Sequence, residues 1–244
     1  MMQIIKLDAT PSTNTFLKEL SANQTLNDYT VVVTESQTQG RGQQGAIWQS
    51  EGGKNLTMSV LKTGVDLQAS EHFLLNILVS LAVKDVLDEL SVPDIKVKWP
   101  NDIMSGNRKV CGILIENVLR GEHIARSVIG IGLNVNQTAF KGLERAASVR
   151  LLTGKTHDLG MVREKLLHAL KSSFKFCEKK GDETLRKHYD QALFRKGRPS
   201  TFENRNGQRF NAVILGVSNQ GLLQLQTETE SVVEFGFKEV KLCY

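Results

Sequence analysis

The chain has 244 residues, 40% of them apolar, enough to bury a sizeable core as one large domain or as a domain with a small module. Nothing in the composition is fibrous, low-complexity or disulfide-dense, and three widely spaced cysteines (Cys111, Cys177 and Cys243) suit a reducing, cytoplasmic setting better than a secreted framework. The net charge of +5 comes from scattered basic residues with no helix-turn-helix or zinc-finger pattern, so it fits solubility, or an enzyme handling anions, as readily as nucleic-acid binding.

The opening "MMQIIKLDATPSTN" has no basic segment before a long apolar run, so no signal peptide is expected. In "TPSTNTFLKELSAN", Pro11, Ser12 and Thr13 precede Phe16, Leu17 and Leu20 at helical spacing, a helix start. "YTVVVTES" (29–36) is a β-branched run and predicts a strand. A glycine-rich stretch follows, then "NLTMSVL" (55–61), in which Leu56, Met58 and Val60 alternate with polar residues as in a strand. Residues 67–90 have helical periodicity and end before Pro93. Their apolar run "FLLNILVSLAV" (73–83) is broken by Asn76 and Ser80 and falls short of the roughly 18 residues of a membrane span, so it predicts a buried helix and no membrane association.

"IKVKW" (95–99) predicts a strand, and residues 109–119 and 123–136 predict two more around "RGE", a hairpin that makes part of the sheet antiparallel. Residues 160–194 predict two helices. From about residue 197 the pattern changes to short strands with turns at Asn206-Gly207 and Gln220-Gly221. A β module of this size is marginal alone and is expected to pack on the main domain.

"GRGQQG" (40–45) has the spacing G-x-G-x-x-G. A dinucleotide-binding turn needs a helix next and an acidic residue about 20 positions on; the chain offers another strand and "MSVLK" (58–62), so that reading fails. A kinase loop also joins strands, but no H-R-D or D-F-G follows, and no Walker A lysine is present. The remaining chemistry is a strand–glycine loop–strand. Gly40, Gly42, Gly45, Gly52 and Gly53 let backbone N–H groups approach an anion, and Arg41 adds a planar charged fork. Trp48 could stack on an adenine or pack over a ligand. The alternative is a flexible hairpin with Trp48 as a core anchor.

Four blocks, "GRGQQGAIWQSEGGKNLTMSV", "VKWPND" (97–102), "RKVCGILIE" (108–116) and "GIGLNVN" (130–136), occur in that order. Together they resemble the catalytic domain of biotin–protein ligases, and "DATPSTN" (8–14) is similar to that family's opening biotin-pocket segment. The resemblance covers nearly the whole chain. It implies an α/β (α+β) fold related to class II aminoacyl-tRNA synthetases: a mixed sheet flanked by helices over residues 1–196, then an SH3-like C-terminal β module over 197–244. It implies activation of biotin by ATP with Mg2+ to biotinyl-5′-AMP, then transfer to a lysine of a biotin carboxyl carrier protein domain. Some members add a winged-helix domain and repress transcription; the chain starts at the catalytic block, so no specific DNA binding is expected. A homodimer through an exposed sheet edge is compatible with the family.

By the same resemblance, Lys109 reaches both the biotin carboxylate and the α-phosphate; the bland reading is a solvated lysine beside Arg108. Ser12, Thr13, Asn14 and Gln37 match the biotin pocket, although Ser12 or Thr13 could equally cap a helix. Gly40 and Gly112 belong to the biotin-binding set, Gly112 by letting the backbone approach the ligand. Arg41 matches an arginine close to biotin and the phosphates. Gly42, Gln43, Gln44, Gly45 and Trp48 fall in the adenylate-binding loop. Asn101 and Asn134 match adenylate contacts, with a strand-end turn as the alternative for Asn134. Asp102 is a candidate to orient the carrier lysine, whose ordinary pKa of about 10.4 requires loss of a proton before attack; a structural Asp102 is the alternative.

Trp99 and Cys111 are expected in the core, and the five histidines lack metal-ligand spacing. Where some members carry arginines, the loop has Gln43 and Gln44, so faster escape of biotinyl-AMP is expected. The rivals are a lipoate or octanoate ligase or transferase, and a non-catalytic nucleic-acid or adenylate-binding protein.

Overall fold

The β-branched run Val31-Val32-Val33-Thr34 forms the start of strand β2 (Val31–Gln37), with Val31 and Val32 fully buried on opposite faces. A strand covered on both sides needs helices above and below its sheet, and the computed structural model, which describes residues 3–244 and only the backbone of Gln44, has that layering. β1 (Ile4–Thr10), α1 (Thr13–Asn23), β2 and β3 (Leu56–Thr63) lead to α2 (Phe73–Glu89). Then come β4 (Ile95–Lys98), β5 (Asp102–Ser105), β6 (Arg108–Arg120) and β7 (His123–Leu133). The seven-stranded sheet has the order β1-β2-β3-β7-β6-β5-β4, with β1 parallel to β2 and the other pairs antiparallel.

Side chains alternate along β3 as the sequence pattern predicts. Leu56, Met58 and Val60 face the main core, where α2 lies. The polar positions are also buried: Thr57 and Ser59 face the other side, and Leu61 joins a small cluster with Leu17 of α1, Val32 and Val128. α2 is buried through its whole run from Phe73 to Val83 and packs on α4 (Leu159–Lys180) and α5 (Glu183–Ala192), the two helices expected over 160–194. A short helix, α3 (Val149–Thr153), precedes them. Neither β1, β5 nor α3 is signalled by the sequence: β1 is a seven-residue edge strand with only Thr10 buried, β5 has four residues behind Pro100, and α3 is a short helix with a buried Ser148 cap. α2 begins at Phe73 rather than 67, because Ala69–Glu71 form a separate 3-10 turn.

The C-terminal strands β8 (Pro199–Asn204), β9 (Arg209–Val217), β10 (Leu223–Thr227), β11 (Val232–Phe235) and β12 (Val240–Cys243) make an antiparallel sheet in the order β11-β10-β9-β8-β12. It does not stand apart. Phe202, Ile214, Leu223, Leu225 and Val240 belong to the same buried cluster as α2 and the large sheet. Gly221, at φ +89°, turns so close to Phe73 that a Cβ there would lie 2.4 Å from the ring, and the Gly221 carbonyl accepts from Trp99 Nε1 at 2.9 Å. Trp99 thus serves packing, joining the two sheets with Phe237 against its ring. No helix among the described residues is long and apolar enough to cross a membrane.

Candidate active site

The register of the large sheet lays out the floor of a cavity. Thr34, Thr57, Gly132, Gly112, Asp102 and Lys98 are successive cross-strand partners from β2 to β4, so they share one face. Ser59 and Gly130 form the next row. Three glycines in the middle of these rows strip the floor of side chains, and a cavity of about 520 Å3 opens above it. The removal is sterically required. A Cβ on Gly132 would lie 2.4 Å from Trp48 Cε2, one on Gly130 would lie 2.4 Å from Asn14 Oδ1, and one on Gly112 would lie 3.3 Å from Lys109 Nζ.

One end of the cavity is a buried polar slot. Ser12 caps α1, its hydroxyl accepting from Thr15 N, which sets Thr13 and Asn14 on the first turn over β3. Thr13 N and Thr13 Oγ1 both donate to Gln37 Oε1, at 2.8 and 3.1 Å. The Ser59 hydroxyl stands 2.8 Å from Thr13 Oγ1 and 2.6 Å from Asn14 Oδ1. Asn14 Nδ2 donates to the Leu114 carbonyl and to Glu116 Oε2. Ser12, Thr13, Asn14 and Ser59 are all buried. Capping and pocket-lining, alternatives in the sequence, coincide on one turn.

The glycine loop closes on itself as a small hairpin. Gly42 N donates to Ala46 O at 2.7 Å and Trp48 N to Gly40 O at 2.9 Å, and Gln43–Gly45 form a 3-10 turn. Gly40 is sterically required there, since a Cβ would sit 2.3 Å from the Trp48 carbonyl oxygen, and Gly45 adopts φ +83°. The Trp48 ring lies on Gly132 and Gly112, with Lys109 Nζ 5.7 Å from its centroid. Trp48 Nε1 is buried without a partner among the described groups. Arg41 reaches back to Glu116 at 3.2 Å.

Lys109 pairs with Asp102 at 2.6 Å on the cavity wall. Simple alternation along β6 would turn Lys109 away from Gly112. A bulge intervenes, because Ile103 pairs with Cys111 whereas Met104 pairs with Lys109, and it brings the lysine onto the face of the glycine floor. The same bulge lets consecutive Val110 and Cys111 both enter the core. Burial pushes the Cys111 thiol far above its ordinary range, so it is not a nucleophile.

Arg41, Gly42, Gln43, Trp48, Asn101, Asp102, Lys109 and Gly112 line the one cavity with Ser12, Thr13, Asn14 and Gln37. Gly40, Gly45 and Asn134 do not line it, and the Gln44 side chain lies outside the described residues. Asn134 is buried beside the site, donating to Ala147 O at 3.1 Å, while its Oδ1 has no partner among the described groups. Asn101 also fastens β6, exchanging bonds with the Ile113 backbone at 2.7 and 3.0 Å.

Ser59, Glu116, Gly130, Gly132, Lys98 and the cavity-wall residues of the second sheet are not marked as site residues by the sequence. Ser59 reads as the outward position of an alternating strand. Glu116 and both glycines lie inside quoted motifs, whose repeated small residues were the available signal. Phe202, Leu223 and Lys241 extend the cavity wall from the second sheet, so that Lys98, Lys109 and Lys241 line it together; Lys98 shares the Tyr244 ring with Arg145 and Arg195, which do not line the cavity, at 4.9, 4.5 and 5.8 Å. The site therefore joins a buried neutral slot to a cationic end, fitted to a ligand with an apolar, hydrogen-bonding head and anionic groups beyond it.

The family model of the biotin/lipoate A/B protein ligases matches residues 7–134, which include every slot and floor residue described above. The biotin–[acetyl-CoA-carboxylase] ligase of Mycobacterium tuberculosis is 28% identical over 92% of this chain and 83% of its own length. The bifunctional ligase/repressor BirA of Bacillus subtilis is also 28% identical, over 92% of this chain and 69% of its own. The structure of the Aquifex aeolicus biotin protein ligase in complex with biotin and ATP superposes with a TM-score of 0.83 at 26% identity, covering 100% of this chain and 99% of that one. The chain belongs to the biotin/lipoate A/B protein ligase family.

Proposed function

We propose that the chain is an ATP-dependent biotin–protein ligase, and that the slot from Ser12 to Asn14 with Gln37 and Ser59 receives the ureido head of biotin. The observation that carries the reading is the single cavity in which this buried slot, the glycine loop and the Lys109–Asp102 pair meet. The slot offers both donors and acceptors within a few ångströms, the pattern a ureido group needs, and the Trp48 indole lying on the glycine floor gives a flat apolar surface for the ring system.

In the first step a biotin carboxylate oxygen forms a bond to the α-phosphorus of ATP and pyrophosphate leaves, yielding a mixed anhydride. Two anions must meet, so the chain's task is charge neutralisation and alignment. Lys109, re-aimed by the bulge, is the cation placed for both. Its Asp102 partner holds the ammonium in the cavity until the ligand anions compete for it. Arg41 and Lys98 supply further positive charge along the wall. Mg2+ would travel with the ATP phosphates and neutralise the departing pyrophosphate, taking few ligands from the protein; no group of three or more His, Cys, Asp or Glu among the described residues is placed to hold a metal ion, so the nucleotide would supply most of its ligands.

In the second step the deprotonated ε-amine of a lysine on a carrier domain attacks the biotinyl carbonyl and AMP leaves. Asp102 serves this step by orienting the amine, since an ordinary carboxylate is too weak a base to deprotonate it extensively. Trp48, on the cavity wall, is assigned to the adenylate, while Asn134, buried beside the cavity, supports the site from behind through its bond to Ala147 O. With Gln43 in place of an arginine, the loop holds the intermediate with less charge, and biotinyl-AMP escapes faster than from an arginine-bearing relative.

Biotin-dependent exchange of pyrophosphate into ATP tests the reading. Exchange that requires biotin and is not supported by lipoate or octanoate is the expected result. Exchange driven by lipoate, or none with any of the three acids, overturns it.

A further inference from the structure

Glu116 is a carboxylate beside a site whose ligands are themselves anions, next to but not lining the cavity, and neither step above uses it. Along β6 it follows Gly112 and Leu114 on the floor face, opposite Val128, which is opposite Leu61. It thus borders the small apolar cluster under α1, with a side chain 20% exposed. Such a position is costly for a charge unless it is paired. Glu116 Oε2 accepts from Asn14 Nδ2 at 2.9 Å and from Arg41 Nη2 at 3.2 Å, and Oε1 faces Lys18 Nζ at 3.5 Å. One carboxylate gathers groups from α1 and from the glycine loop.

The loop segment "GRGQQGAIW" contains a single charged residue, Arg41. Its backbone bonds Gly42–Ala46 and Trp48–Gly40 close the hairpin on itself and do not fasten it to the body. We infer that Glu116 is a positioning residue: its carboxylate tethers Arg41, and with it the glycine loop, to β6 and Asn14, and so sets how firmly the loop closes over biotin and its adenylate. This rests on the biotin-ligase reading. A guanidinium has five donors, and Glu116 engages Nη2, so Arg41 keeps the others for a ligand anion while the tether holds. Asn14 ties the tether to the slot, because its Oδ1 faces Ser59 while its Nδ2 donates to Glu116. Filling the slot and closing the loop are thereby coupled through one side chain.

Glu116→Gln removes the charge while preserving an acceptor for Asn14. The expected results are biotin binding weakened about two- to fivefold by calorimetry, as for a partly exposed ion pair, faster biotinyl-AMP release with little change in the rate of pyrophosphate exchange at saturating biotin, and faster tryptic cleavage after Arg41 in the ligand-free protein. In an Arg41→Gln background, Glu116→Gln has no further effect on biotin affinity. Lys18→Met, which removes a partner of the same carboxylate outside the loop, leaves affinity unchanged. Equal affinity and cleavage in wild type and Glu116→Gln overturn the tether; tighter biotin binding in Glu116→Gln overturns it in favour of Glu116 competing with the ligand for Arg41. If Glu116→Gln does not fold, the wild type still decides: cleavage after Arg41, relative to other sites, rises with salt if an ion pair guards it and does not otherwise. A wild type that fails to bind biotin overturns the functional reading, while the cleavage comparison still tests the tether.

Discussion

The two ends of the cavity are held in opposite ways. The slot is built from buried Thr13, Asn14 and Ser59 with half-buried Gln37, whose hydrogen bonds lock one another across α1, β2 and β3. The glycine loop rests on the body through the Trp48 ring on its glycine floor and the half-exposed Arg41–Glu116 pair. The slot is therefore formed before the ligand arrives, and the loop is free to adjust afterwards. A ligase needs both: a rigid head pocket for selection, and a closing element that admits ATP and later releases the acyl group to a carrier lysine.

Lys109 stands where the two regions meet, and its loss has the largest expected effect. Lys109→Ala should lower biotin-dependent pyrophosphate exchange by at least about 100-fold, the scale of losing one aligned charge at a developing anion, with biotin affinity changed far less. Exchange near the wild-type rate would remove Lys109 from the chemistry. Next is Gly132→Ala, whose Cβ meets the rigid indole of Trp48 at 2.4 Å. Overpacking of this kind costs about 1–3 kcal/mol and should lift the ring, seen as a shift in Trp48 emission in a Trp99→Phe background. An unchanged spectrum would show that the loop does not depend on this floor.

Ser59→Ala breaks the slot instead. It leaves the buried Asn14 Oδ1 without its donor, at a cost of about 1–2 kcal/mol, read as a lower Tm with a higher KM for biotin and an unaltered adenylate release rate. A faster release rate would erase the distinction between slot and loop. The smallest effect is Gln43→Arg, which should slow escape of biotinyl-AMP by about two- to fivefold, the worth of one exposed charge pair. Rapid-quench measurement of free adenylate checks it, and release as fast as in the wild type would deny the loop's charge any part in retention.

Local chemistry made much of the fold legible. The valine run marked β2, the alternation of Leu56, Met58 and Val60 marked β3, and the unbroken apolar run marked α2 as a buried helix. The order of the glycine, "VKWPND", "RKVCGILIE" and "GIGLNVN" blocks marked the family and located the cavity. Ser59 stayed hidden because a serine on an alternating strand has the signature of a solvent-facing position, and only α1 lying across it reveals a buried one. Glu116 stayed hidden because its partners, Asn14 and Arg41, are far away in sequence. The separation of a C-terminal module was visible as a change of pattern, but its shared core with α2 was not, since Gly221 meeting Phe73 is a contact between distant segments.

By itself, the sequence determined most of the strands and helices, that the glycine stretch joins strands rather than opening a helix, and which blocks of residues serve one cavity. These depend on propensities, periodicity and glycine placement, which act over a few residues. Only the tertiary structure decided where Lys109 points, because an extra residue in β6 against β5 reverses the face that alternation assigns to it. It alone also decided that Gly130, Gly132 and Gly112 lie side by side beneath Asn14, Trp48 and Lys109. Strand register is a relation between segments, and no local property of either strand contains it.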